Sequence, residues 1–260
     1  MEIDREFESF KQSIRQLINL DLNCYKEKQL KRRIQQFIQR SRARDYREFL
    51  DLLAKDAALL KRFRDYLTIN TSEFFRDTKV FEHLSRVIIP ALRKETSFLK
   101  IWSAGCSIGA EPYSLAILLA EQNIRNFKID ASDYDPNALK KGREGTYPLN
   151  LLKNLSPGLL EKYFTPADGL YTVKDFLKKN ITWKEHNLLQ DSFPHGYDLI
   201  LCRNVFIYFT QQAQAEVLAK FSRSLRTNGY LVIGSSEFIY YPENYNFVKE
   251  SFSIYKKISE

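Results

Sequence analysis

The stretch IWSAGCSIGAEPYSLAILLA, Ile101–Ala120, decides how this chain is read. The apolar run Leu99–Ala104 fits a buried strand. A small-residue turn with two glycines follows, and Glu111–Gln122 then carries helical periodicity. Strand, glycine turn and helix in that order open a βαβ unit. The glycines stand as G-x-x-x-G, not as the G-x-G-x-x-G of a dinucleotide site, so a pyrophosphate is not the expected ligand. The next strand, Phe127–Ser132, runs into Asp133 in ASDYDP. An acid there can accept both hydroxyls of a ribose, or it can cap the helix that begins near Pro136. Gly105 and Asp133 lie 28 residues apart. Together they fit a ligand with an adenosine-like ribose and a charged, phosphate-free tail, which is the chemistry of S-adenosylmethionine (SAM).

Outward from this unit, strands alternate with helices. Asn137–Glu144 and Gln211–Leu225 read as helices, and Tyr197–Cys202 and Tyr230–Gly234 as strands. The alternation predicts a parallel sheet with helices on both faces. Leu170–Val173 and Ile181–His186 are expected to form an inserted antiparallel hairpin, within a subdomain at about 160–186. Phe247–Tyr255 is expected to be a final antiparallel strand near the edge.

Residues 1–69 differ in kind. Apolar residues recur at helical spacing (Phe7, Phe10, Ile14, Leu17; Leu30, Ile34, Phe37; Phe49, Leu53; Leu59, Phe63, Leu67), without Gly or Pro. A bundle of about four helices is expected. Lys26–Arg44 holds eight basic residues against Glu27 alone, within a chain of net charge +8. Such a stripe suits nucleic acid, anionic lipid or an acidic protein surface, or is simply a solvated helix face. The hydrophobic content of 44% is that of a globular chain. No apolar run approaches the roughly 20 residues of a membrane span. The three cysteines are dispersed, so the expectation is a reducing cytoplasm without a disulfide framework, and no metal site is expected from the three histidines.

Four segments then stand in order: NTSEFFRD (Asn70–Asp77), SAGCSIGAEPYS (Ser103–Ser114), ASDYDPNAL (Ala131–Leu139) and DLILCRNVFIYF (Asp198–Phe209), closed by GSSE (Gly234–Glu237). In these the chain resembles the chemotaxis receptor glutamate methyltransferases, the CheR family, over almost its whole length. The resemblance implies an α/β fold. It would be a Rossmann-like SAM-dependent methyltransferase sheet over 70–260, with a small N-terminal all-α domain at 1–69 and an inserted β subdomain. It implies SAM as cofactor, S-adenosylhomocysteine (SAH) as product, and glutamate side chains of methyl-accepting receptor helical bundles as substrate.

Position by position, it implies that Asn70, Ser72 and Arg76 lie along the cofactor, with Arg76 close to the reaction centre. Gly105 opens the binding loop, and Glu111 takes the ammonium of the methionine tail. Asp133 takes the ribose, Asn187 and Leu188 frame the adenine, and Arg203 and Asn204 form the pocket floor. Tyr208 would point its hydroxyl at the methyl group, making Arg76 and Tyr208 the catalytic pair. Lys31, Arg32, Arg33 and Arg40 would dock the receptor. The chain departs from the family pattern at Ala110, often an acid, and at Ile108, often Thr. A monomeric, cytoplasmic enzyme without nucleic-acid partner or membrane insertion is expected. The alternatives are a SAM-binding regulator and a methyltransferase acting on another acidic protein. CRNVFIYF lacks the D/N-P-P-Y pattern of base-methylating enzymes.

Overall fold

A computed structural model describes residues 5–68 and 72–259. The chain divides into two compact units, one of residues 1–69 and 208–216, the other of residues 70–207 and 217–260. Residues 208–216, expected within the 70–260 domain, group with the first unit.

In the first unit four helices form where the periodicity put them: α1 (Arg5–Ile18), α2 (Glu27–Ser41), α3 (Tyr46–Lys55) and α4 (Ala57–Leu67). Their ends are set by local chemistry. Asp45 caps α3 by accepting the Glu48 N–H at 2.8 Å, and Asp56 caps α4 through the Ala58 and Leu59 N–H groups, both at 2.9 Å. The buried faces meet in a phenylalanine cluster. Phe63 lies 5.1 Å from Phe49 and 5.2 Å from Phe37, centroid to centroid, and Phe10 lies 6.3 Å from Phe49. Residues 208–210 join this unit through backbone bonds. The Lys26 N–H donates to the Tyr208 carbonyl at 2.9 Å, and the Thr210 N–H to the Cys24 carbonyl at 2.8 Å.

The second unit opens with α5 (Thr78–His83), a π turn at Leu84–Ile88 and α6 (Ile89–Glu95). Next come β1 (Leu99–Ala104), α7 (Ala110–Glu121), β2 (Phe127–Asp133), α8 (Pro136–Glu144), β3 (Thr146–Pro148), α9 (Pro157–Tyr163), β4 (Phe164–Ala167), β5 (Leu170–Val173), α10 (Asp175–Lys178) and β6 (Ile181–Glu185). β7 (Tyr197–Cys202), α11 (Gln211–Ser224, of which residues 217–224 belong to this unit), β8 (Leu225–Ile233), β9 (Phe247–Ser251) and β10 (Ile254–Lys257) complete it. Seven strands form one sheet in the order β6-β2-β1-β7-β8-β10-β9. β6, β2, β1, β7 and β8 are parallel, and β10 and β9 are antiparallel.

Neighbouring residues of β1 face opposite layers. Ile101 enters the core beneath α7, whose Tyr113 and Leu115–Leu119 are buried. Trp102 stacks with Tyr197, 5.3 Å away, and meets Phe221 of α11 at 5.4 Å. Such burial on both faces is what a parallel sheet between helix layers requires.

Two strand expectations need correction. β5 does not pair with β6. It lies between β3 and β4 in a separate three-stranded antiparallel sheet, while β6 joins the main sheet in parallel with β2. The subdomain sheet therefore begins at Thr146 and ends at Val173. The physical reason is the side chain of Trp183, whose ring fills the space over Gly109 and Gly142. A Cβ there would come within 2.5 and 2.4 Å of that ring. The terminal segment is a hairpin of β9 and β10, not one strand, because the chain turns at Phe252.

Candidate active site

The carboxyl ends of β6, β2, β1 and β7 lie side by side, and the candidate residues follow them. After β1 the turn takes left-handed backbone at Gly105 (φ 74°), Ser107 (φ 50°) and Gly109 (φ 90°). The Gly105 and Cys106 N–H groups both donate to the Ser132 carbonyl, at 2.8 and 2.9 Å, which ties the turn to the end of β2. A Cβ on Gly105 would meet Val205 Cγ2 at 2.8 Å, so no larger residue fits this turn. The Asp133 carboxylate accepts the Ser107 N–H at 2.7 Å through Oδ2 and the Asp135 N–H at 2.9 Å through Oδ1. It does not cap the helix. Asp135 does, accepting from Asn137 and Ala138. Burial pushes the Asp133 carboxyl up to about 6, against the pull of those N–H groups.

The turn borders a cleft of about 370 Å³, counting space open to solvent, lined by Ser72, Glu73, Arg76, Phe81, Gly105, Cys106, Ser107, Glu111, Arg203 and Asn204. Its polar frame is a buried network. Arg203, with 3% of its side chain exposed, donates from Nη2 to Asp77 at 2.7 Å and to the Arg76 carbonyl at 2.9 Å. Its Nη1 donates to Glu111 Oε2 at 3.3 Å. Glu111 Oε1 accepts the Ser103 hydroxyl at 2.7 Å, and Asp77 also accepts the Ser235 hydroxyl at 2.8 Å. Two carboxylates thus share one guanidinium, which leaves the network net negative. Among the described residues Arg203 Nε is buried without an acceptor. Burial holds the Cys106 thiol well above its usual range, so it is not a thiolate.

These features suit SAM. The negative network can meet an ammonium, the orphaned Nε–H can meet an acceptor, and a carboxylate stands at the end of β2 for a ribose. The glycine turn lets backbone approach without a Cβ in the way.

The cleft brings together Ser72, Arg76, Gly105, Glu111, Arg203 and Asn204 among the residues expected from sequence. Asp133 joins through Ser107. Asn187 and Leu188 follow β6, tied to β2 by the His186 N–H donating to the Asp133 carbonyl at 2.9 Å. Both are buried, and Asn187 Oδ1 accepts the Leu189 N–H at 3.0 Å, which shapes the loop. Asn70 lies outside the described residues. Tyr208 is not in the cleft lining, and its residue belongs to the first unit. Asp77 pairs with Arg203. Glu73, Phe81, Cys106 and Ser107 line the cleft unforeseen, although Glu73, Cys106 and Ser107 stand inside the quoted motifs.

In the first unit Arg32 and Arg40 are exposed on α2. Lys31 and Arg33 are half-buried: Lys31 Nζ lies 5.4 Å from the Phe7 ring centroid, and the Arg33 guanidinium 4.6 Å from that of Tyr66. Arg33 also donates to the Tyr66 carbonyl in the last turn of α4.

Comparison with known proteins agrees with this frame. Residues 70–254 match the family described as "CheR methyltransferase, SAM binding domain", and residues 5–68 match "CheR methyltransferase, all-alpha domain". The chain belongs to the CheR methyltransferase family. It is 37% identical over 246 residues to a chemotaxis protein methyltransferase of Listeria monocytogenes, covering 94% of each chain. It is 34% identical to one from Borreliella burgdorferi, covering 92% of this chain and 90% of that one. The Escherichia coli protein of the same name is 34% identical, with 90% of this chain and 84% of that one covered. Membership makes this chain a SAM-dependent methyltransferase and places its chemistry in chemotaxis. Among the described residues no helix is long and apolar enough to cross a membrane.

Proposed function

We propose that this chain transfers the methyl group of SAM to glutamate side-chain carboxylates of methyl-accepting chemotaxis receptors, giving methyl esters. The observation that carries the reading is the make-up of the cleft, whose described lining offers no group free to act as a general base. Its carboxylates are engaged, Glu111 by Arg203 and Ser103, and Glu73 by Lys153 and Asn154. Its thiol, Cys106, is held protonated. An alcohol or amine acceptor would need a base to take its proton. A glutamate, with an ordinary pKa of about 4.3, arrives already ionised.

SAM supplies an electrophilic methyl group on a positively charged sulfur. The residues hold and orient. Glu111 faces the ammonium of the amino-acid tail, Asp133 accepts the ribose hydroxyls, and Asn187 and Leu188 frame the adenine. Arg203 and Asn204 form the floor. Arg76, half-buried at the cleft, guides the incoming carboxylate. A cation pressed against the nucleophile would stabilise the ground state more than the transition state, so Arg76 works by placement. Tyr208 lies outside the cleft lining and is given no part in this reading. Alignment of two reactants is worth a large effective molarity, up to roughly 10⁵ M or more. The exposed row Lys28, Arg32 and Arg40 on α2 docks the acidic helical face that bears the glutamate.

The test uses SAM labelled on its methyl group, incubated with receptor-bearing bacterial membranes and then treated with base. Label released as volatile methanol is the expected result, because carboxyl methyl esters hydrolyse. Label that stays on protein through base treatment would mean methylation of nitrogen and would sink the proposal.

A further inference from the structure

Glu237 lies in the loop that leaves β8, and only 4% of it is exposed. Its partners are backbone amides. Oε2 accepts the Asn204 N–H at 3.0 Å and the Gly234 N–H at 2.5 Å, and Oε1 accepts the Ile207 N–H at 3.1 Å. The Phe206 N–H adds to the same set. β7 and β8 are parallel neighbours as far as the pair Cys202 and Ile233. Beyond that pair the strands part, and the amides of the turn after β7 lose their ladder. Buried N–H groups must find acceptors, and a single carboxylate supplies them.

The approach is tight. A Cβ on Gly234 would stand 2.7 Å from Glu237 Oε2 and 2.9 Å from Asn204 N, so glycine is required where the loop passes beneath the turn. Asn204 itself sits in left-handed backbone, φ 60°, and the residue lines the cleft beside Arg203. Burial pushes the Glu237 carboxyl up, and the N–H groups pull it down. A group with this much desolvation to offset is held by its geometry.

We infer that Glu237 is a positioning residue, whose carboxylate fixes the Arg203–Ile207 turn in the shape that presents Asn204 to the SAM cleft. It is not among the residues that line the cleft. The inference rests on the assignment of Asn204 to the cofactor cleft and is independent of which carboxylate is methylated.

The test is a double-mutant cycle read by calorimetric SAH binding on the full chain, with Glu237→Gln, Asn204→Ala and both together. Glutamine keeps the shape but turns an NH₂ group toward donors. Each single variant is expected to weaken SAH binding about tenfold, the scale of one strong hydrogen bond. The double variant is expected to be no worse than about the poorer single, since both act through one turn. Leu177→Ala, in the buried face of α10, controls for lost stability and is expected to melt earlier yet bind SAH normally. Undiminished binding in Glu237→Gln beside a weakened Asn204→Ala would overturn the inference alone, as would additive losses. A silent Asn204→Ala would remove the cleft assignment with it. Hydrogen exchange of the unaltered protein gives an answer even if Glu237→Gln fails to fold. The Asn204 and Ile207 amides are expected to be protected like those of β7, and exchange at open-loop rates would refute the clamp.

Discussion

The two units carry function in opposite ways. In the helical unit the interior is a cluster of aromatic rings around Phe10, Phe49 and Phe63, and the docking candidates are charges of α2, Arg32 and Arg40 exposed and Lys31 and Arg33 half-buried. In the SAM unit the candidates are half-buried or buried, and several are held by hydrogen-bond partners near the ends of strands, Glu111, Asp133 and Arg203 among them. Arg203 alone bonds Asp77, Glu111 and the Arg76 carbonyl. Surface charge acts over a Debye length of about 8 Å and tolerates small displacement. A network of buried hydrogen bonds does not, because each lost partner leaves a desolvated group behind. Damage to the first unit should therefore appear as altered stability or altered steering, and damage to the second as altered binding.

The largest effect that tests this division is in the helical core. Phe63 is fully buried between Phe37 and Phe49, and Phe63→Ala is expected to cost about 3–5 kcal/mol through lost burial and a cavity. Heating followed by circular dichroism should show early loss of helix. SAH binding at low temperature is expected to persist, since the cleft residues all lie in the other unit. Loss of SAH affinity in parallel with loss of helix would break the comparison.

Asp133 comes next. Burial has raised its carboxyl to about 6 from an ordinary 3.8. The folded protein thus binds this proton more tightly than the unfolded chain. Its contribution to stability is fully present below about 4 and is lost as pH rises through about 6. Cofactor affinity runs the other way, because only the ionised carboxylate can accept both ribose hydroxyls. The SAH dissociation constant is expected to rise about tenfold for each pH unit below 6, while Asp133→Asn should bind weakly at every pH. Calorimetry between pH 5 and 8 decides it, and a flat profile for the unaltered protein would remove Asp133 from the ribose site.

What the sequence revealed follows from the range of the interactions. The strand and helix around the glycine turn were legible to within a residue, because apolar runs and periodicity report local burial. The helices of the first unit were legible for the same reason. The pairing of β6 was not. ITWKE alternates as a half-buried strand does, whichever sheet it joins, and its partner β2 lies some fifty residues back. The reason for the mid-helix Gly142 is equally remote, since the Trp183 ring fills the space its side chain would take. The supports of the cleft were also hidden. Ser235 bonds Asp77 across 158 positions, and Glu237 bonds Asn204 across 33. Of the docking stripe, charge was legible but accessibility was not.

That last point gives the smallest effect and the finest test. Arg32 and Arg40 are exposed, although the Arg40 guanidinium also lies 6.0 Å from the Tyr66 ring centroid, whereas half-buried Arg33 packs on that ring at 4.6 Å and donates to the end of α4. If α2 steers an acidic receptor helix, Arg32→Ala with Arg40→Ala should lower kcat/KM by about two- to fivefold and leave kcat alone, the scale of two exposed ion pairs. Added salt should erase the difference between this variant and the unaltered enzyme. Arg33→Ala should instead lower stability by about 1–2 kcal/mol, from a lost cation–π contact and a lost helix-end hydrogen bond, and keep the full salt response. Initial rates with receptor membranes over a salt series, set beside thermal melts, separate the two arginine classes. A reduced salt response in Arg33→Ala, or a lowered kcat in the exposed pair, would mean that exposure on α2 does not define the docking face.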